Sequence, residues 1–223
     1  MTMTIENDTM TGTMMVHVST TVLASINSLA QFADNGRNGT PVLAGLQFSR
    51  HGEDQIRVHA TNRYVLVQAT YLTITFCKNW GHDATLWVDQ STIKQALATA
   101  KNYGAGIVGL GYDHDTRQAF VDVAGTRLNY VGGQPSYPSV HKLFDDLTTP
   151  NGVDMLRVNP KFLAMLAKVI TPESKQDKDR PWELSFWHEE DSAKPMPMMA
   201  TTVNHKNDTW EIRVLIQPNR TVR

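Results

Sequence analysis

The tetrapeptide Arg50-His51-Gly52-Glu53 sets an imidazole beside a guanidinium, the pairing with which a phosphohistidine mechanism attacks and holds a phosphoryl group. That chemistry also needs further cations around the three phosphoryl oxygens, a second histidine and an acid for the leaving group. In this chain the tetrapeptide falls between two short strand-like runs, with Gly52 and Asp54 as turn formers. A hairpin tip is therefore the expectation, and an enzyme of the histidine-phosphatase type using Arg50 and His51 is the alternative.

Other constellations are weaker. Gly104-Ala-Gly-Ile-Val-Gly109 matches G-x-G-x-x-G, but a dinucleotide site needs a strand before the glycines and a helix after them. Here the order is reversed, so the glycines should end a helix and open a strand. The eight histidines show no metal-binding spacing; His114 lies between two aspartates and His188 precedes Glu189-Glu190-Asp191, both where strands should turn. No metal and no cofactor is expected. Cys77 is the single cysteine, with Phe76 and Trp80 nearby, and reads as a packed residue. Met196, Met198 and Met199 read as core or edge filler at a strand start.

The elements that would carry these residues repeat. Residues 1–13 are Thr-rich and aperiodic and read as a flexible leader, with Met14 or Met15 as an alternative start. Then comes a strand at MMVHV, a cap at Ser19 or Thr20, and a helix with Val22, Leu23, Ile26, Leu29 and Ala30 on one face. Strands are predicted at 42–48, 55–60 and 64–69. The same order returns with a strand at 85–88, a helix after Asp89 with Ile93, Ala96, Leu97 and Ala100 inward, and strands at 106–112, 118–123 and 126–131. It returns again with a strand at Met155–Val158, Asn159 as N-cap, Pro160 in the first helical position, and Phe162, Leu163, Leu166, Ala167 and Ile170 inward. Strands at 182–188, 198–203 and 210–216 complete it. The expected fold class is α/β (α+β), with three βαβββ units at about 14–75, 84–132 and 153–218 and a linker over 133–152. In domain terms this is one domain of two units over 14–132 and a half domain over 153–223.

Bulk composition is ordinary for a globular chain: 223 residues, 41% hydrophobic and 19% charged. With 21 Lys and Arg against 22 Asp and Glu, the formal charge is −1, so a nucleic-acid partner would have to be held by a local basic face. No segment reaches the roughly 18 consecutive apolar residues of a membrane span, and no secretion signal is evident. A soluble, cytoplasmic protein is the expectation.

Three segments, in order, resemble one family. Val58-His59-Ala60-Thr61-Asn62-Arg63-Tyr64-Val65-Leu66 is similar to its V-x-A-T-D-G-H-R-L strand-turn-strand. Gly133-Gln134-Pro135-Ser136-Tyr137-Pro138-Ser139-Val140 is similar to its G-x-F-P-D-Y-x-x-V linker. Val214-Leu215-Ile216-Gln217-Pro218-Asn219-Arg220 resembles its ending, a hydrophobic run followed by M-P-M-R. The family is the bacterial DNA polymerase III β sliding clamp, the processivity ring of replication. The first two units resemble its middle domain, and the third resembles the second half of its last domain.

This resemblance implies a non-enzymatic DNA-clamp fold whose helices face duplex DNA and whose antiparallel sheets form the outside. DNA contacts would come from Lys94, Lys101, Lys161 and Lys168, each pair seven residues apart on a polar helix face, with Arg37 as a further candidate. The first helix would offer only Ser25, Asn27, Ser28 and Gln31. Contacts to the backbone alone carry no sequence information and permit sliding.

The resemblance also implies an apolar cleft for short peptides of the polymerase and clamp loader. By matched position it would use Ile26, then Thr61, Arg63, Tyr64, Val65 and Leu66, then Pro135, Ser139 and Val140, and finally Leu215, Gln217, Pro218, Asn219 and Arg220. Arg63 stands where the family has glycine, Val65 and Ser139 where it has arginine, and Gln217 and Asn219 where it has methionine. These departures imply an altered peptide preference. Family rings contain twelve βαβββ units, so three per chain imply a homo-oligomer of four chains, and the short chain suggests a phage version. A clamp-shaped interaction protein that does not encircle DNA is the remaining alternative.

Overall fold

The computed structural model describes residues 12–34, 40–77, 79–81, 83–130, 137–138, 140, 142–147, 158–172, 181–187, 197–204 and 209–217. The chain starts with β1 (Thr13–Ser19) and α1 (Thr20–Leu29), followed by β2 (Gly45–His51), β3 (Gln55–Thr61), β4 (Val65–Leu72) and the short β5 (Thr75–Phe76). Next are β6 (Thr85–Asp89), α2 (Gln90–Asn102), β7 (Ile107–Asp113), β8 (Gln118–Val123) and β9 (Thr126–Tyr130). The remainder contains α3 (Lys142–Asp145), α4 (Pro160–Leu166), β10 (Glu183–Phe186), β11 (Met198–Val203) and β12 (Trp210–Ile216). Of the predicted strand at Met155–Val158, residues 155–157 lie outside the described residues, and Val158 is in no strand.

Side-chain caps start the three main helices. The Ser19 hydroxyl accepts from the Val22 amide at 3.2 Å, Asp89 Oδ1 from Thr92 at 3.0 Å and Asn159 Oδ1 from Lys161 at 3.0 Å. The caps are evenly spaced, 70 residues apart. The inward residues expected of α1 and α2 are all buried. α2 then ends as its glycines require, with Gly104 at φ +62° and β7 opening at Ile107.

The strands form two antiparallel sheets. One has the order β5-β1-β7-β8-β9, the other β10-β11-β12-β4-β3-β2-β6. The leading strand of each of the first two units crosses to the other unit's sheet: β1 pairs with β7 from Thr13 opposite Asp113 to Ser19 opposite Ile107, and β6 pairs with β2 from Gly45 opposite Asp89 to Ser49 opposite Thr85. The helices α1 and α2 pack beside each other over these sheets. Strand β12 then joins β4 in register from Trp210 opposite Tyr71 to Ile216 opposite Val65, so the last strands extend the sheet of the first unit. One apolar core, from Met14 to Ile216, runs between helices and sheets.

Several expectations need correction. The run 42–48 was expected as strand; Pro41–Ala44 instead forms a 3-10 turn, because Pro41 fixes its φ at the first helical position, and β2 runs three residues further, to His51. β5 and α3 were not anticipated. α4 stops at Leu166 and buries Met165 and Leu166, while Leu163 and Ile170 remain 43% and 44% exposed and Ala167 is also exposed. Cys77 packs against the core as expected, half-buried, its Sγ accepting from the Met15 amide at 2.8 Å and donating to the Thr13 carbonyl at 3.2 Å, which ties the end of β5 to β1.

Candidate partner-binding cleft and helix face

The turn from β3 to β4 is built by its own polar side chains. The Thr61 hydroxyl donates to the Val65 carbonyl at 2.9 Å and accepts from the Arg63 amide at 3.1 Å. Asn62 Oδ1 accepts from the Tyr64 and Val65 amides at 3.1 and 2.9 Å. This network holds Arg63 at φ +78°, a left-handed conformation that costs a residue with a Cβ about 1 kcal/mol. Its side chain reaches back over the preceding loop, bonding the Thr40 hydroxyl and lying 3.9 Å from the buried Asp34 carboxylate. The same turn presents Tyr64 outward, 64% exposed.

Beside the turn, on the face of the sheet away from α1 and α2, a flap made of the described residues 137–138, 140 and 142–147 lies over the strands. Tyr137, Val140 and Phe144 bury against Leu43, Leu66 and Leu215 in a second, smaller core. Between this flap and the turn lies a cavity of about 600 Å³. One wall is Thr61, Arg63, Tyr64, Val65 and Leu66; the floor is Leu43 and Leu215; the far wall is Pro138, Val140, Leu143, Asp146 and Leu147, with Pro197 and Gln217 at the ends. The Gln217 amide donates to the Tyr64 carbonyl at 2.9 Å, fixing the end of β12 to the turn. The lining is largely apolar with Arg63 and Asp146 as charged groups, which suits a short extended peptide anchored by apolar side chains.

Eight of the expected cleft residues therefore meet at one cavity: Thr61, Arg63, Tyr64, Val65, Leu66, Val140, Leu215 and Gln217. Ile26 does not. It is fully buried in the main core, because its position on α1 is one of the apolar helical face and not of the turn. Pro135, Ser139, Pro218, Asn219 and Arg220 lie outside the described residues, as does Arg37. Leu43, Pro138, Leu143, Asp146, Leu147 and Pro197 were missed. The spacing of Leu143, Phe144 and Leu147, one helical turn of apolar residues inside the linker, was the available signal.

On the helices, Lys94 and Lys101 of α2 and Lys161 and Lys168 on and after α4 are all exposed. Of the α1 residues expected beside them, Ser25 and Ser28 are otherwise occupied. Ser25 is fully buried, its hydroxyl 2.9 Å from the phenol of Tyr71, whose burial pushes its pKa well up. The Ser28 hydroxyl donates to the Ser25 carbonyl at 2.6 Å and accepts from the Ile170 amide at 2.9 Å, which anchors the segment after α4 to α1.

Arg50 and His51 form no phosphate site. The Arg50 guanidinium is spent on the carbonyls of Gly52, Glu53 and Trp80 at 3.0, 3.1 and 3.2 Å, closing the β2–β3 hairpin at Gly52, φ +66°. The His51 Nδ1 takes a hydrogen bond from Arg57 at 2.8 Å; burial, then the Arg57 charge, lowers its pKa. Asp89 is also lowered: burial alone would raise it, but hydrogen bonds from Ser91 and Thr92 outweigh that. Among the described residues no group of three or more His, Cys, Asp and Glu is placed to hold a metal ion.

No protein-family model matches the sequence, and no curated protein does either. The solved structures differ. The β chain of DNA polymerase III from Streptococcus pneumoniae TIGR4 superposes over 99% of this chain and 67% of its own, with TM-score 0.69 and 14% identity. The fold is that of the β sliding clamp. The Thermotoga maritima β subunit matches 92% of this chain and 64% of its own, TM-score 0.58 at 12% identity. The DnaN sliding clamp of Pseudomonas aeruginosa, solved bound to griselimycin, matches 94% and 66%, TM-score 0.61 at 10% identity. The chain thus spans about two thirds of the length of these clamps. In the clamp fold the paired helices and the joined sheets described above are one architecture, and the mixed α+β class expected from the sequence holds.

Proposed function

We propose that this chain is a sliding clamp: it encircles duplex DNA without reading its sequence, and it tethers a replicative polymerase by holding partner peptides in the cavity beside Tyr64. The observation that carries this reading is the cavity itself, where the β3–β4 turn, the end of β12 and the flap carrying Pro138, Val140, Leu143 and Leu147 converge in a clamp fold. Peptides with apolar side chains near a Gln would place the apolar groups on Leu43, Leu66 and Leu215 and leave polar groups to Arg63 and Gln217. The clamp loader would use the same cleft. The chain itself performs no chemistry in this reading, and closing a ring takes more than one copy.

Lys94, Lys101, Lys161 and Lys168 supply the DNA-facing charge that a formal charge of −1 cannot. Changing all four to alanine should weaken duplex binding and lower the slope of log K against log salt by about 0.9 per lysine that meets a phosphate, up to about 3.6 in all. An unchanged slope removes the helix face from the account.

A further inference from the structure

The cavity beside Tyr64 holds one cation whose placement goes beyond what its turn requires. Arg63 keeps a left-handed backbone at φ +78°, which costs a residue with a Cβ about 1 kcal/mol and costs glycine nothing. The hydrogen bonds from Thr61 and Asn62 that close the turn use only the backbone amide of residue 63, so the turn itself asks for no guanidinium. Arg117 adopts φ +55° at the exposed tip of the β7–β8 hairpin, so the conformation by itself marks nothing. The side chain is what distinguishes the site.

The Arg63 guanidinium is held from behind. It donates to the Thr40 hydroxyl and lies 3.9 Å from the Asp34 carboxylate. Asp34 is in turn fixed through its own backbone: its amide donates to the Leu43 carbonyl at 2.8 Å, and the Gln90 side-chain amide donates to its carbonyl at 3.1 Å. Leu43 is on the cavity floor, so these bonds tie the cation to the cleft. The Asp34 side chain is 5% exposed and that of Arg63 47%, which withdraws the negative group and leaves the positive one half open on the cavity wall. A side chain anchored at its backbone and at its head has already lost much of the freedom that binding would otherwise take from it. Its planar fork matches a carboxylate and favours it over a neutral amide. The other charged group of the lining, Asp146, is on the flap wall and disfavours an acid there.

We propose that the peptide taken by this cleft carries an acidic side chain beside its apolar anchors, and that Arg63 selects it: the carboxylate pairs with the guanidinium on the turn wall while the apolar groups lie over Leu66 and Leu215. This rests on the cavity being a peptide cleft, and adds to it the sign of the charge recognised and the residue that recognises it. Selection follows from the contrast between a charged and a neutral partner of the same shape. A half-exposed guanidinium lies between a solvated ion pair and a buried charge-assisted hydrogen bond, which sets the preference for the acid at roughly threefold to tenfold in Kd.

Anisotropy titrations of the full chain decide it. The probes are fluorescent hexapeptides with Gln and a Leu-Phe pair, in which one Asp is moved through the remaining positions, each beside its Asn counterpart. For wild type at low salt, Asp should bind roughly threefold to tenfold tighter than Asn at the position that meets Arg63, and the ratio should shrink as salt is raised. Arg63→Gly, which relieves the left-handed backbone and so keeps the turn, and Arg63→Gln should each abolish that preference, whatever their overall affinity. Equal binding of Asp and Asn peptides at every position in wild type overturns the proposal and leaves the cleft standing. So does a preference that survives in both variants. No binding by any peptide at about 1 mM overturns the proposal and the peptide cleft together.

Discussion

Tyr64 gives the sharpest separation of binding from folding. A fully buried tyrosine removes about 150–250 Å² from water, and at 64% exposure about 100–160 Å² of that remains available to a peptide. If a bound peptide covers about half of it, about 25 cal/mol per Å² gives about 1.2–2 kcal/mol, or roughly tenfold to thirtyfold in Kd. The fold needs little from this ring, because the turn is held by Thr61 and Asn62. Tyr64→Ala should therefore weaken a fluorescent hexapeptide containing Gln and a Leu-Phe pair by that factor, read by anisotropy, while Tm stays within a degree or two. Leu215→Ala is the contrasting control. At 7% exposure within the second core it should cost about 2–4 kcal/mol of stability and lower Tm visibly. Equal affinity for wild type and Tyr64→Ala, or no wild-type binding at about 1 mM peptide, would refute the reasoning.

Two further outcomes follow from buried polar groups. Ser25→Ala leaves the Tyr71 phenol buried without its partner and should cost about 1–3 kcal/mol, measured by urea denaturation; Tyr71→Phe in the same chain should restore most of it. His51 has a lowered pKa in the fold, set by burial and by Arg57 and Arg213 against Asp145 and Glu211. The unfolded chain therefore takes up that proton first, so stability is full above the unfolded value of about 6.5 and falls as pH drops through it. Between pH 7.5 and 5.5, His51→Gln should lose stability less steeply than wild type in parallel thermal melts, and identical slopes would count against the assignment.

What could be read from the sequence was whatever depends on local periodicity. Strands 118–123, 198–203 and 210–216 coincide with β8, β11 and β12, and the inward faces of α1 and α2 follow from a 3.6-residue repeat. Neighbour choice is not local. The alternating pattern of β1 says that one face is buried but not that its partner is β7, so the exchange of β1 and β6 between units was invisible. Ser25 illustrates the same limit: a residue grouped with Asn27, Ser28 and Gln31 on a polar helix side is buried, its hydroxyl bonded to Tyr71, 46 positions away. The cleft was half legible. Thr61–Leu66 and Leu215–Gln217 came from a resemblance of short motifs, whereas Leu143 and Leu147 reach it on a single helical turn, too short to stand out in a linker containing Gly133, Pro135 and Pro138.

The central claim is topological, so the decisive measurement is retention on DNA. Protein loaded onto nicked circular duplex should survive a high-salt gel-filtration wash with the DNA, and should be lost when a restriction enzyme linearises the circle, because a closed ring leaves only through an end. Equal retention on circular and linear duplex, or none on either after loading, would contradict it.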